Sequence, residues 1–241
     1  MNITGIILAG GSSRRFRQEG DYPHKSLVPI EGKSLLTRLH EHFAAAGISK
    51  VLTVTGEFHH ALAADAAQPC HNPNWDTVNI MGSLLSIPYS EMGDEIIVSY
   101  SDVWYSRDLI EDLLATDHPA VIPSVNRWKQ LWEMRFENPL NDLESFQYNP
   151  EFRLLEIGKK VSDMEQVMGQ FAGVFRLSTA NLKAAVQHLG RSRVTNMDVT
   201  TFFQHCLEAQ LFPIRVMPSD AEWFEFDHQS DYILYQTNNT I

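Results

Sequence analysis

Short apolar segments alternate with amphipathic segments along the first half of the chain. Residues 3–9 are almost continuously apolar and end at Gly10-Gly11, which is typical of a buried strand in a parallel sheet. Residues 34–46 repeat apolar side chains at helical spacing before Gly47, a helix stop signal. The same reasoning predicts strands at 50–55, 95–100 and 120–125, and helices at 59–67, 80–90 and 106–115. This alternation predicts an α/β fold with a doubly wound, mostly parallel sheet.

The pattern changes between residues 126 and 178, where short β-like runs replace the helices. These runs cover 131–137, 145–148, 153–157 and 170–177. They predict a β-rich insertion over the sheet, after which helices return at 179–189 and 198–210 and strands at 212–217 and 222–226. Nothing resembling a linker separates these parts, and 241 residues with 44% apolar content suffice for one core. We therefore expect one domain spanning 1–241.

The composition excludes several classes of partner. A net charge of -11, from 30 acidic and 19 basic residues, argues against a surface for nucleic acid or for an anionic membrane. A pocket for a small anionic substrate needs only a few local cations and stays compatible with this charge. The distant cysteines Cys70 and Cys206 indicate neither a disulfide framework nor a zinc site. Because the sequence has no basic leader and no apolar run of bilayer length, we expect a cytoplasmic protein.

The loop after the first predicted strand is the first candidate site. It reads Leu8-Ala9-Gly10-Gly11-Ser12-Ser13-Arg14-Arg15. Its glycines let the backbone approach a ligand closely, and consecutive N–H groups can hold phosphate oxygens. An arginine in the same loop adds a permanent, forked cation. Ligands of α/β folds bind at the carboxyl ends of the strands, so this loop indicates a phosphate site.

Carboxylates accompany two other predicted strands. Asp102 ends the apolar run 96–100, where an acidic side chain points into the ligand crevice and a cation is its best partner. A capping role does not account for it, because Ser106 is the better N-cap of the next helix. Glu225 and Asp227 are two residues apart and share one face if the segment is extended. These three residues are candidate cation ligands.

These motifs resemble the nucleotidyltransferases that activate sugar phosphates, phosphocholine and molybdopterin. In the loop pattern Leu-Ala-Gly-Gly-x-Ser-x-Arg, Arg15 takes the position of the phosphate-binding arginine. The stretch Pro-His-Lys-Ser-Leu-Val-Pro-Ile at 23–30 places Lys25 at the catalytic lysine, which neutralises charge on the α-phosphate. It departs from the family pattern by the inserted His24 and, further on, by Ser34 in place of proline.

The resemblance implies a Rossmann-like nucleotidyltransferase fold and a specific chemistry. A nucleoside monophosphate passes from an NTP to a small phosphorylated acceptor, and pyrophosphate leaves. The cofactor is Mg²⁺, held by Asp102, Glu225 and Asp227, and magnesium suits such a site because it accepts few protein carboxylates. The nucleotide is contacted by the loop residues Leu8, Ala9, Gly10, Gly11, Ser12 and Ser13.

Two further stretches resemble the phosphocholine cytidylyltransferase-like branch of this family. Residues 79–84 match the junction beside the nucleotide base, which implies that Asn79 and Ser83 read the base and favours CTP as the donor. Residues 155–160 are similar to a lysine-bearing strand of that branch, which implies that Lys159 or Lys160 binds the phosphate of the acceptor.

The identity of the acceptor is open at this point. Trp104, Tyr105, Trp132 and Trp223 have polar neighbours, as rings facing a cleft would, and aromatic faces can hold a quaternary ammonium. The same rings could instead stack on a sugar or fill a core. The first hypothesis is phosphocholine or another phospho-alcohol, phosphonate or phospho-amide. The alternatives are a sugar 1-phosphate, a molybdopterin-type acceptor and an inactive nucleotide-binding regulatory protein. A homodimer is an alternative to a monomer.

Overall fold

The molecule is described by a computed structural model that covers residues 2–20 and 22–237. The described strands, in chain order, are β1 (Ile3–Ala9), β2 (Pro29–Ile30), β3 (Lys33–Ser34), β4 (Val51–Thr55), β5 (Pro69–His71), β6 (Glu95–Tyr100), β7 (Val103–Tyr105), β8 (Ala120–Val125), β9 (Glu144–Tyr148), β10 (Leu154–Lys160), β11 (Val174–Ser178), β12 (Arg215–Ser219) and β13 (Trp223–Glu225). The described helices are α1 (Arg14–Glu19), α2 (Leu35–Ala45), α3 (His59–Leu62), α4 (Ile80–Leu84), α5 (Asp108–Ala115), α6 (Trp128–Arg135), α7 (Thr179–Leu189), α8 (Arg191–Val194), α9 (Val199–Glu208) and α10 (Gln229–Thr237). Short 3-10 turns lie at Lys25–Leu27, Tyr89–Glu91, Pro139–Asn141 and Met164–Gln166.

A seven-stranded sheet in the order β12-β8-β11-β6-β1-β4-β5 forms the centre of the fold. Its neighbouring strands are parallel except at β11, which runs antiparallel to both β6 and β8. Side chains alternate between the two faces of β1, so that Ile7 packs in one apolar cluster while Ile6 and Leu8 pack in the other. Both faces are therefore buried, and the predicted mostly parallel α/β sheet is confirmed.

The segment 126–178 contains a helix as well as strands. The strand predicted at 131–137 is wrong, because the chain forms α6 there. Trp128, Leu131 and Trp132 are buried and stand at helical i, i+3, i+4 spacing, so one helix face covers the core. β9 and β10 form a separate antiparallel hairpin. The run predicted at 170–177 becomes β11, which joins the central sheet instead of covering it.

A small ladder brings the C-terminal acidic motif to the end of β6. β7 directly follows β6 and pairs antiparallel with β13, which aligns Glu225 with Val103. The backbone N–H of Phe226 donates to the carbonyl of Asp102 at 2.9 Å. The strand predicted at 222–226 therefore lies outside the central sheet and beside its carboxyl edge. Among the described residues, no helix is both long and apolar enough to span a bilayer.

Candidate active site

A pocket of about 190 Å³ opens where β1 ends. It is lined by Leu8, Gly10, Gly11, Trp75, Val78, Asn79, Ile80 and Ser83. Five of the residues predicted to contact the nucleotide are in this set: Leu8, Gly10, Gly11, Asn79 and Ser83. Asn79 is the N-cap of α4, and Ser83 lies within that helix. Ala9, Ser12 and Ser13 are outside this set, and Ala9 points into the core with 2% exposure. Trp75 is a lining residue that was not predicted from the sequence, although its aromatic face is a suitable wall for a planar base.

Close backbone packing shapes this pocket. A Cβ atom at Gly56 would lie 2.1 Å from the carbonyl oxygen of Gly10 and 2.8 Å from Trp75 Cβ, so only glycine allows this approach. Ser83, 7% exposed, accepts a hydrogen bond from the amide of Asn72 at 3.4 Å. Asn79 caps α4 by accepting from the Ile80 N–H at 2.7 Å. The glycine loop therefore packs closely against Gly56, and hydrogen bonds from Asn72 and Asn79 hold α4 at the same pocket.

The three predicted metal ligands converge at the carboxyl end of β6. Asp102, Glu225 and Asp227 each offer an oxygen atom, and these three atoms lie within 4.8 Å of one another. Asp102 follows β6, and Glu225 is the last residue of β13. Asp227 lies beyond that strand, so the two C-terminal carboxylates do not share one strand face. The pairing of β13 with β7 and the turn after β13 bring them together.

Two basic side chains contact this carboxylate cluster. Lys25 Nζ forms ion pairs with Asp102 and, at 3.2 Å, with Asp227. Burial alone would lower the pKa of Lys25, but the charges of Asp102 and Asp227 raise it above its usual range. Lys25 is therefore a permanent cation here. The structure brings together the lysine and carboxylates that the sequence motifs had linked.

Arg135, which the sequence analysis missed, is the second cation. Its side chain has 0% exposure and contacts Glu225 at 3.0 Å, Asp231 at 3.0 Å and Asp227 at 3.6 Å. Asp231 also accepts the backbone N–H groups of Asp227 and His228 at 2.9 and 2.8 Å, which holds the turn that carries Asp227. The signal for Arg135 was its spacing from Trp128, Leu131 and Trp132, which places it on the buried face of α6.

The charges of this cluster do not balance. Among the described residues, four carboxylates (Asp102, Glu225, Asp227 and Asp231) form ion pairs with two cations (Lys25 and Arg135), so this ion-paired group has two excess negative charges when all are ionised. Burial and the charge of Asp227 raise the pKa of Glu225 well above the usual range. A divalent cation would offset that excess, and carboxylate oxygens are the ligands that Mg²⁺ prefers. The residues therefore fit a magnesium ion.

Arg15 lies in the first turn of α1 and is exposed. Burial would raise the pKa of Asp227, yet the charges of Lys25, Arg135 and Arg15 lower it. Arg15 thus acts electrostatically on the carboxylate cluster from the helix that follows the glycine loop. Its role in binding phosphate stays a prediction.

His24 is a further residue that the sequence analysis left without a role. It is 1% exposed, and its two ring nitrogens contact the Gly11 carbonyl oxygen at 3.1 Å and the Ser26 N–H at 3.2 Å. Burial is the main cause that lowers its pKa from 6.5 to about 4, and the charge of Lys25 adds to it. His24 is therefore neutral at physiological pH.

We expect His24 to make the protein less stable as the pH falls from 6.5 towards 4. A pKa that is lower in the folded than in the unfolded state means that the unfolded chain binds the proton first, so the stability present above pH 6.5 is lost on acidification. Relative to His24→Gln, the wild type should lose roughly 3 kcal/mol more of its free energy of unfolding between pH 7 and pH 4. Urea unfolding at both pH values measures this difference. Parallel losses in the two proteins would contradict it.

The aromatic residues predicted to bind the acceptor lie in the core, and their interpretation as a cleft-facing cage is corrected. Trp104, Tyr105, Trp132 and Trp223 are 9%, 0%, 3% and 4% exposed. Trp104 and Tyr105 contact the ring of His42, and Trp132 stacks on Trp223 with ring centroids 5.8 Å apart. The polar neighbours in the sequence do not mark exposed rings, because Glu133 and Glu222 are exposed while Trp132 and Trp223 beside them are buried.

The two lysines proposed for the acceptor lie at the end of the β9–β10 hairpin. Lys159 and Lys160 are exposed, and Lys159 Nζ pairs with Glu156 at 2.7 Å. The register of the hairpin sets Lys160 beside Glu144. Among the described residues, the ion pairs of the carboxylate cluster come from Lys25 and Arg135 rather than from these lysines. Their contact with the acceptor stays a prediction.

Comparisons with known proteins show the family of the chain. The family model of the MobA-like NTP transferase domain matches residues 5–192. A CTP:phosphoglutamine cytidylyltransferase from Campylobacter jejuni is 26% identical over 249 residues, which cover 95% of this chain and 97% of the relative.

Solved structures share the fold at lower identity. The CTP:phosphocholine cytidylyltransferase from Streptococcus pneumoniae superposes with a TM-score of 0.74 at 16% identity, covering 98% of this chain and 99% of that one. The inositol-1-phosphate CTP transferase from T. maritima gives a TM-score of 0.73 at 16% identity, covering 98% and 94%.

Proposed function

The chain belongs to the family of MobA-like NTP transferase domains and is a nucleotidyltransferase, and on this premise we propose that it transfers CMP from CTP to a small phosphorylated acceptor with release of pyrophosphate. The observation that carries the proposal is the meeting of Lys25 with Asp102, Glu225 and Asp227 at the carboxyl edge of the sheet. The nucleotide pocket at the end of β1 opens on the same edge.

The reaction needs alignment and charge neutralisation rather than a general base. A phosphate oxygen of the acceptor, already anionic at neutral pH, attacks the α-phosphorus of CTP in line, and the bond from that phosphorus to pyrophosphate breaks. The glycine loop and Arg15 hold the phosphates. Lys25 supplies a fixed positive charge where negative charge accumulates on the α-phosphate.

The proposed cofactor is Mg²⁺, held by Asp102, Glu225 and Asp227. When bound, it polarises the phosphate oxygens and orients the two reacting groups. The role of the chain is to keep these carboxylates in place, which Arg135 does by pairing with Glu225 and Asp227, and Asp231 does by holding the turn at Asp227.

A phosphorylated amide is the acceptor that we favour. The Campylobacter relative is named for phosphoglutamine. Phosphoglutamine is a phosphorylated amide, and like phosphocholine it carries an ammonium group. The burial of the four predicted cage rings removes the main argument for phosphocholine.

Pyrophosphate release with each NTP and a panel of acceptors tests the proposal. The panel contains phosphoglutamine, phosphocholine and glucose 1-phosphate, each with and without Mg²⁺. We expect the largest kcat/KM with CTP and phosphoglutamine. A preference for glucose 1-phosphate would favour a sugar-1-phosphate nucleotidylyltransferase instead, and no release with any pair would favour a nucleotide-binding regulatory protein.

Donor selection is expected to depend on the side-chain amide of Asn79. Cytosine offers an acceptor at N3 where uracil has an N–H donor, so an amide N–H favours CTP and a carboxylate favours UTP. We expect Asn79→Asp to shift the ratio of kcat/KM for CTP over UTP by about tenfold or more towards UTP. Aspartate can still cap α4 at the Ile80 N–H, so folding is preserved. An unchanged ratio in the folded variant would remove Asn79 from base recognition.

A further inference from the structure

His24 connects the glycine loop with the segment that carries Lys25. One ring nitrogen, Nε2, is 3.1 Å from the carbonyl oxygen of Gly11, which lines the nucleotide pocket. The other, Nδ1, is 3.2 Å from the backbone nitrogen of Ser26, one residue beyond the lysine. The ring is buried and packs against Phe58 with centroids 5.8 Å apart, so its orientation is fixed.

The chemistry of the two partners determines the direction of both hydrogen bonds. A backbone N–H can only donate, so Nδ1 of His24 must accept from Ser26 and carries no proton. The neutral ring then bears its proton on Nε2, which donates to the carbonyl of Gly11. Burial keeps the pKa of His24 low, so the ring is neutral at neutral pH. Its two hydrogen bonds then select this tautomer. A second proton would remove the acceptor that Ser26 needs.

Lys25 depends on such outside contacts, because it starts a 3-10 turn of only three residues. Such a turn has few internal hydrogen bonds and poor geometry of its own. His24 caps it through the Ser26 N–H. The Lys25 N–H donates to Ser13 Oγ at 3.3 Å, and Ser26 Oγ donates to Ser101 Oγ at 2.8 Å, next to Asp102. The glycine loop, the turn that carries Lys25 and the segment Ser101-Asp102 therefore form one hydrogen-bonded unit.

We propose that His24 is a positioning residue that couples the glycine loop to Lys25, so that a nucleotide held by the loop meets the lysine at its α-phosphate. The kinetic part of this inference rests on the proposed nucleotidyl transfer. In the family pattern, proline directly precedes the lysine, whereas His24 is inserted between them in this chain. The inserted histidine thus positions the lysine.

Two conservative variants separate the two hydrogen bonds. In His24→Gln, the amide nitrogen takes the place of ring Nε2 and can still donate to Gly11, while the acceptor for Ser26 is lost. In His24→Asn, the side-chain oxygen takes the place of Nδ1 and can still cap the turn, while the link to Gly11 is lost. His40→Asn is the matched control, because His40 also binds a backbone N–H, that of Ala67 at 3.2 Å, away from this site.

We expect kcat to fall about tenfold to a hundredfold in His24→Asn, because displacing a catalytic group by about an ångström has effects of this size. His24→Gln should retain a larger kcat than His24→Asn, and the KM for the acceptor should be similar in both. His40→Asn should lower Tm without lowering kcat. Equal kcat losses in the two His24 variants, or losses that follow Tm across all three, would overturn the coupling.

Hydrogen exchange gives a readout that does not need turnover. Since the Lys25 N–H is bonded to Ser13 in the loop, its amide should exchange faster in His24→Asn than in His24→Gln. Equal exchange rates would refute the role of His24 even if the enzyme is active. Absence of activity in the wild type with a faster Lys25 amide in His24→Asn would instead reject the proposed function and retain the coupling.

Discussion

Replacing Asp102 or Asp227 by asparagine should lower kcat by about a thousandfold or more, because coordination of the proposed metal contributes several kcal/mol to stabilisation of the transition state. Asparagine preserves the shape of the side chain but removes one charged ligand from the three that lie within 4.8 Å. The fold should persist, since the substitution reduces the excess negative charge of the cluster. Steady-state kinetics and thermal unfolding, each with and without Mg²⁺, measure the two effects separately.

The thermal measurement makes this prediction specific. Mg²⁺ should raise the Tm of the wild type and have a smaller effect on either variant, because an ion that binds only the folded state stabilises it. Asp220→Asn is the matched control, since Asp220 is exposed and contacts Asn126 at 2.9 Å. Activity close to that of the wild type in folded Asp102→Asn or Asp227→Asn would refute the metal assignment.

Lys25→Met should lower kcat by about a hundredfold to a thousandfold, the range seen when a fixed group that stabilises transition-state charge is removed. The effect on metal binding should have the opposite sign. Lys25 Nζ pairs with Asp102 and Asp227, which are also the proposed metal ligands, so the lysine competes with the metal for these carboxylates. Isothermal titration of the nucleotide-free protein with Mg²⁺ should therefore give a lower Kd for Lys25→Met than for the wild type.

Lys33→Met removes a lysine of the same chemistry from a half-exposed pair with Glu41 and is the control for this variant. It should leave both kcat and the affinity for Mg²⁺ unchanged. If Lys25→Met loses metal affinity together with kcat, Lys25 supports the carboxylate cluster instead of acting on the α-phosphate.

The aromatic residues illustrate where local sequence patterns mislead. Trp132 and Trp223 have charged neighbours in the sequence, yet they stack on each other in the core. Exposed Glu222 directly precedes buried Trp223, so a polar neighbour says little about the exposure of a ring. The contact between these rings also joins α6 to β13, which are distant in the sequence.

Arg135 and His24 illustrate the same limit for polar residues. Arg135 lies outside the motifs that resemble the nucleotidyltransferase family, and His24 is a departure within the motif at 23–30. Each is recognisable only by its partners, the carboxylates around Asp227 and the carbonyl of Gly11. Helical spacing within 128–135 places Arg135 on a buried face of α6. Its ion pairs with Glu225 and Asp231 form only because α6 packs against β13 and α10 in the folded chain.

The sequence by itself determined the strands β1, β4, β6 and β8, the position of the glycine loop and the identity of Lys25, Asp102, Glu225 and Asp227 as candidates. These features depend on local periodicity and on short motifs that lie at strand ends, and such signals need no knowledge of distant contacts. The tertiary structure alone decided the helix at 128–135, the burial of the aromatic rings and the charge balance of the carboxylate cluster. Burial and ion pairing depend on which elements pack together, and that packing joins residues about a hundred positions apart, as Arg135 and Asp231 are.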